Sequence, residues 1–173
     1  MKQDLKPNFE LCAGIGTPIT TINPDENYQL LTLDMDDVSE ASVYSAVEYE
    51  CPEGVYAILK NGENSYNVIS LSIHPMREVI QTKANVPKDD AQHLKLGIKR
   101  GYWIIRLSGK HERDRPELID IVSTTTEAVI SEKHLKLFEA LYPKMDVYSL
   151  MPAVKSTINC PIMKTVYPTR CKD

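Results

Sequence analysis

The chain has 173 residues, of which 42% are hydrophobic and 25% are charged, and its net charge is −4. This size fits one ordinary domain, and the composition is close to the globular average, which disfavours disordered and collagen-like proteins. No stretch approaches the roughly 18 consecutive apolar residues of a membrane span, and residues 1–7 lack the apolar core of a signal peptide. We therefore expect a single soluble, intracellular domain over residues 1–173.

The first third of the chain predicts a loop-rich segment followed by strands. Residues 1–27 are rich in Pro, Thr, Asn and Gly and have few periodic apolar positions, which predicts loop. Runs of β-branched and aromatic residues then predict consecutive antiparallel strands over Tyr28–Leu33, Val43–Tyr49, Val55–Lys60 and Tyr66–Ile73. Asn61-Gly62 predicts a tight hairpin turn between the last two, because glycine can adopt the positive φ of such turns.

The middle of the chain predicts a helix and then a buried strand. The helix begins near Asp89-Asp90, whose carboxylates can cap free amides, and ends at Gly101 in a left-handed conformation. Tyr102–Leu107 predicts a strand in which the aromatic side chain of Trp103 belongs to the core. The charged residues Lys110–Arg115 then predict a solvated loop.

The clearest helix lies near the C-terminus, with Ser131 as its N-cap and Pro143 as its stop. Its apolar positions have helical spacing: Leu135, Phe138, Leu141 and Tyr142. Val147–Val154 predicts a returning edge strand, and residues 155–173 predict a loosely structured tail. The fold class that we expect is α+β, with two or three helices packed on an antiparallel sheet of several short strands.

Charge is distributed unevenly along the chain. No lysine or arginine occurs between Lys6 and Lys60, and the same stretch contains ten acidic residues: Glu10, Asp25, Glu26, Asp34, Asp36, Asp37, Glu40, Glu48, Glu50 and Glu53. Subtracting these ten charges from the net −4 leaves +6 for the rest of the chain. Uncompensated carboxylates repel one another, so we expect them to provide either solubility or a complementary surface for a basic protein.

If the carboxylates form a complementary surface, part of the lysine-free segment is a candidate partner-binding surface. Its residues are Asp34, Asp36, Asp37, Glu40, Glu48 and Glu50. Nucleic-acid-binding proteins are basic, so a nuclease or another cationic toxin is a natural partner. The chain itself is not expected to bind nucleic acid or a membrane, and its oligomeric state does not follow from the sequence.

Sequence motifs for catalysis and metal binding are absent. There is no G-x-S-x-G elbow, phosphate loop, Rossmann fingerprint or H-E-x-x-H. Asp34-Met35-Asp36-Asp37 resembles a D-x-D metal motif, but the next residues lack the further ligands and the glycine of a calcium loop. The four histidines, His74, His93, His111 and His134, lack ligand spacing, and we expect His134 on the surface of its helix. We therefore expect no metal, no cofactor and no catalytic residue.

The four cysteines, Cys12, Cys51, Cys160 and Cys171, do not have the C-x2-C spacing of a zinc site. Reduced thiols are the first expectation. Two disulfides in a periplasmic protein whose signal peptide has been removed are the alternative, since the number of cysteines is even.

A segment near the C-terminus resembles a known family. It contains Pro116-Glu117-Leu118, Val129-Ile130-Ser131-Glu132, Glu139-Ala140-Leu141 and Met151-Pro152-Ala153-Val154. Over residues 115–154 these motifs resemble a bacterial family of immunity proteins of polymorphic toxin systems, first classified as a domain of unknown function. The chain departs from the family at Glu117, where the family has aspartate, and in the tail, where Asn159-Cys160-Pro161 and Tyr167-Pro168 replace a tyrosine-rich strand.

The resemblance implies a cytoplasmic protein that neutralises a cognate bacterial toxin or effector by binding it. It carries over no catalytic residue. Two alternatives stay open at the level of sequence: a small hydrolase with dispersed catalytic residues, for example around His74 or His111, and an acidic mimic of nucleic acid that blocks a DNA-binding protein.

Overall fold

The computed structural model describes residues 9–18, 23, 26–89, 91–107, 114–144, 146–158 and 165–170, and of 9–14, 18 and 165–170 only the backbone. The described chain forms β1 (Phe9–Pro18), β2 (Tyr28–Asp36), α1 (Glu40–Tyr49), β3 (Val55–Gly62), β4 (Ser65–Pro75), α2 (Met76–Asn85), α3 (Ala91–Arg100), β5 (Tyr102–Arg106), β6 (Glu117–Ser123), β7 (Glu127–Ile130), α4 (Glu132–Leu141), β8 (Ala153–Thr157) and β9 (Thr165–Arg170). The fold is α+β, with mostly antiparallel sheets, as the sequence predicts.

The strands form two sheets. In the larger sheet β4 pairs antiparallel with both β2 and β3, and β6 pairs antiparallel with β3. The C-terminal part of β4 meets β7 at Ser72, and β8 runs parallel to β7. In the smaller sheet β1 lies between β5 and β9, and both pairings are antiparallel.

The larger sheet is buried on both faces because its central strands alternate between two apolar cores. Ala57 and Leu59 of β3 belong to one core, and Tyr56 and Ile58 belong to the other. Residues of α1 and α2, including Val43 and Val79, pack in the second core, while α4, β1 and β5 contribute to the first. The molecule therefore has α1 and α2 on one side of the large sheet and α4 with the small sheet on the other.

The helix α3 packs on β5 through a glycine. A Cβ atom at Gly97 would overlap the indole ring of Trp103, which is 1% exposed. Only a residue without a side chain permits this close approach. The helix ends at Gly101, whose φ of 79° is the left-handed conformation that the sequence predicts there.

Several sequence predictions of secondary structure are confirmed. The structure has strands at the three predicted positions in β2, β3 and β4, and it has helix α4 and strand β5 where predicted. The β3–β4 hairpin is also present, but its positive φ of 55° belongs to Asn64 and not to Gly62.

Four predictions of secondary structure are wrong. Residues 1–27 contain the ten-residue strand β1 and so are not uniformly loop, and residues 155–173 contain β9. Val43–Tyr49 is helix and not strand, because Val43, Ala46 and Val47 recur at helical spacing on the buried side and Ser39 accepts a hydrogen bond from the amide of Ser42. Val147–Val154 is mostly turn, and the strand begins only at Ala153.

Among the described residues each α-helix has ten residues, and none is long and apolar enough to cross a bilayer.

Candidate functional site

The connection from β2 to α1 presents acidic residues next to a helix N-terminus. Asp37 has a φ of 55°, which turns the chain sharply after β2. The amide of Val38 donates to the carbonyl of Asn64 over 3.1 Å, and Asp36 accepts a hydrogen bond of 2.6 Å from the hydroxyl of Ser65. The start of α1 is therefore held against the β3–β4 hairpin.

The structure separates the six predicted partner-binding residues into three groups. Asp37 and Glu50 line one groove along α1. Glu40 and Glu48 are exposed and lie one helical turn either side of Tyr44, whose hydroxyl donates to Asp120 of β6 over 2.9 Å. Burial, followed by the hydrogen bond and charge of Asp120 and then the charge of Glu40, raises the pKa of Tyr44 to about 12.

The third group is Asp34 and Asp36, which are less available. Asp34 is half-buried within β2, and its amide donates to Asp89 over 2.8 Å, so we leave it out of the surface. Asp36 is exposed, but its carboxylate is engaged by Ser65. No group of His, Cys, Asp and Glu residues in the described ranges can hold a metal ion, and the D-x-D pattern therefore has no counterpart in a metal site there.

The groove along α1 has a volume of about 530 Å³. Its wall on the helix is built of small side chains, namely Ala41, Ser42, Ser45 and Ala46, and Pro87 and Lys88 form the opposite side. Asp37 precedes and Glu50 follows α1, which as a ten-residue helix is about 15 Å long. We name this feature the α1 groove.

Two further grooves continue from it. A middle groove of about 210 Å³ is lined by Glu50, Glu78 and Asn85 among others, so it shares Glu50 with the α1 groove. A third groove of about 440 Å³ shares Glu78 with the middle groove, and it is also lined by Glu53, Glu127 and His74. We name the third feature the His74 groove.

The acidic face is the name that we give to the five carboxylates of these contiguous grooves: Asp37, Glu50, Glu53, Glu78 and Glu127. All five residues are exposed. The ion pairs found within the described residues are Lys83–Asp89 and Lys136–Glu132, and neither includes a residue of the acidic face. Sequence reasoning missed Glu78 and Glu127, because they lie far along the chain from the lysine-free segment and only the tertiary fold brings them alongside Glu50 and Glu53.

The C-terminal end of α1 is electrostatically unfavourable. Glu48 and Glu50 lie where the helix dipole favours a cation, and the last turn contains no basic residue. Tyr49, between these two glutamates, is 74% exposed. Tyrosine is one of the residue types that contribute most often to binding energy in protein interfaces.

His74, near the C-terminal end of β4, is 4% exposed and its ring stacks on Tyr56 with 6.0 Å between centroids. Gly54 leaves room for the ring, because a Cβ there would lie 3.0 Å from Cε1 of His74, which is a tight contact. Burial lowers the pKa of His74 to about 4, so the imidazole is neutral near pH 7. The groove has the histidine and carboxylates that a hydrolase would need, but such a low pKa makes His74 a weak general base at neutral pH.

Two other candidate groups have structural roles. His134 is buried, contrary to the prediction of a surface position: its Nδ1 lies 2.8 Å from the hydroxyl of Ser131 and its Nε2 lies 3.1 Å from the carbonyl oxygen of Gly16. Cys51 has a free thiol, and burial, aided by Asp89 and Glu50, raises its pKa to about 12. A thiol with such a pKa is not a nucleophile at neutral pH. His111 lies outside the described residues.

The basic residue Lys83 is buried beneath the acidic face. Its ammonium group lies 2.8 Å from Asp89 and donates to the carbonyl oxygen of Thr32, and both side chains of the ion pair are fully buried. Asp89, which the sequence predicts together with Asp90 as a helix cap, neutralises this cation. The pair therefore joins α2 to β2 and does not compensate the exposed carboxylates.

Comparisons with known proteins identify no relative: no family model, no curated protein and no solved structure matches the chain.

Proposed function

We propose that this chain is an immunity protein, which binds a cationic toxin protein through the acidic face and blocks it. The observation that carries the proposal is the set of contiguous grooves that join Asp37, Glu50, Glu78, Glu53 and Glu127 without an ion pair among the described residues. Their charges attract a basic surface over a distance comparable to the Debye length, which speeds the encounter and disfavours acidic partners.

The α1 helix supports the same proposal energetically. Because Glu48 and Glu50 oppose the helix dipole, an arginine or lysine of a partner placed near them would relieve this repulsion while forming new ion pairs. Tyr49 offers apolar area at the same place. Complementary charge with a central aromatic contact is a combination that gives both fast and durable binding.

A bacterial toxin is the proposed partner because residues 115–154 resemble immunity proteins. In the structure this segment contains β6, β7, α4 and the first residues of β8. Tyr142 and Arg115 connect its parts, since Tyr142 donates to the carbonyl of Pro116 over 3.1 Å and Arg115 donates to the carbonyl of Leu141. The proposed location is the cytoplasm, where such proteins would protect the cell that makes the toxin.

The first experiment identifies the neighbouring genes, among which the proposal expects a secreted effector with a C-terminal toxin domain, and measures binding to that domain. Absence of such an effector would count against the proposal. The variant Glu50→Lys/Glu78→Lys reverses two charges of the acidic face. We expect its association rate constant in about 0.05 M salt to fall roughly tenfold or more, and the difference from the unmodified protein to shrink in about 0.5 M salt. Co-expression of the toxin domain with each protein should give the same ranking. The unmodified protein should rescue growth, and the variant should rescue it less.

The matched control is Glu132→Lys/Glu139→Lys on α4, on the other side of the large sheet. Both double variants bring the formal net charge from −4 to 0, and each reverses one glutamate near a helix N-terminus and one near a C-terminus. Equal slowing by both variants would mean that total charge, and not the acidic face, determines binding. Unchanged kinetics in Glu50→Lys/Glu78→Lys would contradict the proposal.

A further inference from the structure

The His74 groove has a buried hydrogen-bond acceptor among its lining residues. The hydroxyl of Tyr56 donates to the carbonyl of Pro52, so it faces His74 with an oxygen lone pair. Nε2 of His74 lies 3.5 Å from that oxygen, so the proton of the neutral ring belongs on Nε2. Nδ1 is then an unprotonated acceptor.

Nδ1 of His74 has no hydrogen-bond partner among the described residues. It is also not one of the fully enclosed polar atoms without a partner, a group that in the described chain includes Oγ1 of Thr32 and Nε1 of Trp103. A neutral, nine-tenths buried histidine in the wall of an open groove thus keeps one acceptor accessible. An acceptor in this position requires a donor from outside the chain or from water.

Charges around the groove favour a cation as that donor. Glu53, Glu78 and Glu127 contribute three negative charges to its lining, and Lys155 contributes one positive charge. With His74 neutral the formal charge of the lining is −2, which repels carboxylates and phosphates. The described residues contain no cluster able to hold a metal ion, so the three carboxylates do not converge on one point.

We infer that the His74 groove binds the guanidinium group of an arginine side chain. A guanidinium carries five N–H donors in a plane, which suits carboxylates spread around a groove together with one ring acceptor. A compact ammonium group has fewer directions of donation and no flat face, so it fits this arrangement less well.

The inference deepens the proposed function, because it names an arginine of the toxin as the group that enters the groove next to Glu78. Only the statement that the arginine belongs to a toxin protein rests on the proposed function. Guanidinium binding itself depends on the groove alone, and a small probe tests it without the toxin.

The test is a titration of the ¹⁵N-labelled full chain with N-acetyl-arginine amide, followed by NMR. We expect saturable shifts at residues lining the groove, such as Thr126, and a change in the imidazole nitrogen signals of His74, which should begin as the Nε2–H form. The citrulline analogue has nearly the same shape without the charge, and the lysine analogue has a charge without the plane. Both should bind at least fivefold more weakly.

The variant Glu53→Gln/Glu127→Gln removes two charges at exposed positions and should weaken binding of the arginine probe at least fivefold. Glu132→Gln/Glu139→Gln on α4 is its control and should bind as the unmodified chain does. No saturable binding, equal binding of the citrulline or lysine analogue, or undiminished binding by Glu53→Gln/Glu127→Gln would each overturn the inference. If the chain binds the arginine probe but not the toxin domain, guanidinium binding by the groove is supported and the proposed function is wrong. If the chain binds the toxin domain but not the probe, only guanidinium binding by the groove is wrong.

Discussion

His74 and His134 are both buried and neutral, and this makes the stability of the fold sensitive to acid. Burial lowers the pKa of His74 to about 4 from an ordinary value of 6.5. The pKa of His134 is also lowered, first by burial, with an opposing contribution from its hydrogen bond to Gly16 and a further lowering by Lys133. In acid, the two histidines therefore bind protons more readily in the unfolded chain than in the folded chain.

We predict that the free energy of unfolding falls as the pH falls from 6.5 towards 4. The contribution of His74 is fully present above pH 6.5, and its loss by pH 4 amounts to about 3 kcal/mol. In His74→Gln, which cannot titrate, that part of the pH dependence should disappear. Urea unfolding of both proteins at pH 7 and pH 4 measures it, and identical pH dependence in the two would contradict the burial of His74.

Gly97 shows how one residue determines the position of a helix. Alanine favours helix over glycine by about 1 kcal/mol, but a methyl group at position 97 would overlap the buried indole of Trp103. Overpacking costs about 1–3 kcal/mol, and the overlap with a rigid ring puts Gly97→Ala near the upper end, so we predict a net destabilisation of about 2 kcal/mol. Thermal unfolding should show it. Gly62→Ala is the control, because nothing lies within 4 Å of a Cβ there, and it should change stability little.

At the scale of elements, α1 has acidic residues at both ends, and only one end suits them. Glu40 lies in the first turn, where the helix dipole favours a negative charge, and Glu48 lies near the last turn, where it does not. Glu40→Gln should therefore lower the free energy of unfolding by about 0.3–1 kcal/mol, and Glu48→Gln should raise it by a similar amount. Denaturant unfolding in low salt compares the two, and changes of the same sign would contradict the dipole argument.

The elements that the sequence predicts well are those whose pattern is local. The helical spacing of Leu135 and Phe138, the strand at Trp103 and the left-handed Gly101 depend on neighbours in the chain, and they are found as expected. Strand β1 was missed because its pairing with β5, for example Ile15 with Ile105, joins distant residues. Val43–Tyr49 was misassigned because its β-branched residues favour strand locally, whereas packing on the sheet selects the helix.

The site is predictable only in part for the same reason. The lysine-free segment contains Asp37 and Glu50, which line the α1 groove. Glu78, Glu127 and the buried acceptor of His74 join them only through tertiary structure. The binding role of all these residues stays a prediction.

At the scale of the whole molecule, the ion pair Lys83–Asp89 connects elements from three parts of the chain. Lys83 of α2 reaches the carbonyl of Thr32 in β2, and Asp89, just before α3, also accepts from the amide of Asp34. Removing one buried partner leaves the other charge without compensation.

We predict that Lys83→Met lowers the free energy of unfolding by about 3–5 kcal/mol, and that Lys83→Met/Asp89→Asn recovers part of this loss. Lys136→Met is the control, because its pair with Glu132 is 3.8 Å long and exposed, and it should cost at most about 0.5 kcal/mol. Urea unfolding of the three variants decides. If Lys83→Met were as stable as Lys136→Met, the argument from the buried ion pair would be contradicted.

The larger sheet ends in β8, a strand whose five residues are all exposed and whose pairing in the described chain is with β7 alone. A strand with a free side is a template for hydrogen bonding to another molecule of the same kind, and a lysine at its centre is a common natural safeguard against such growth. Lys155 occupies that central position. We expect this charge to disfavour edge-to-edge association of the protein at high concentration, whether or not a ligand is bound.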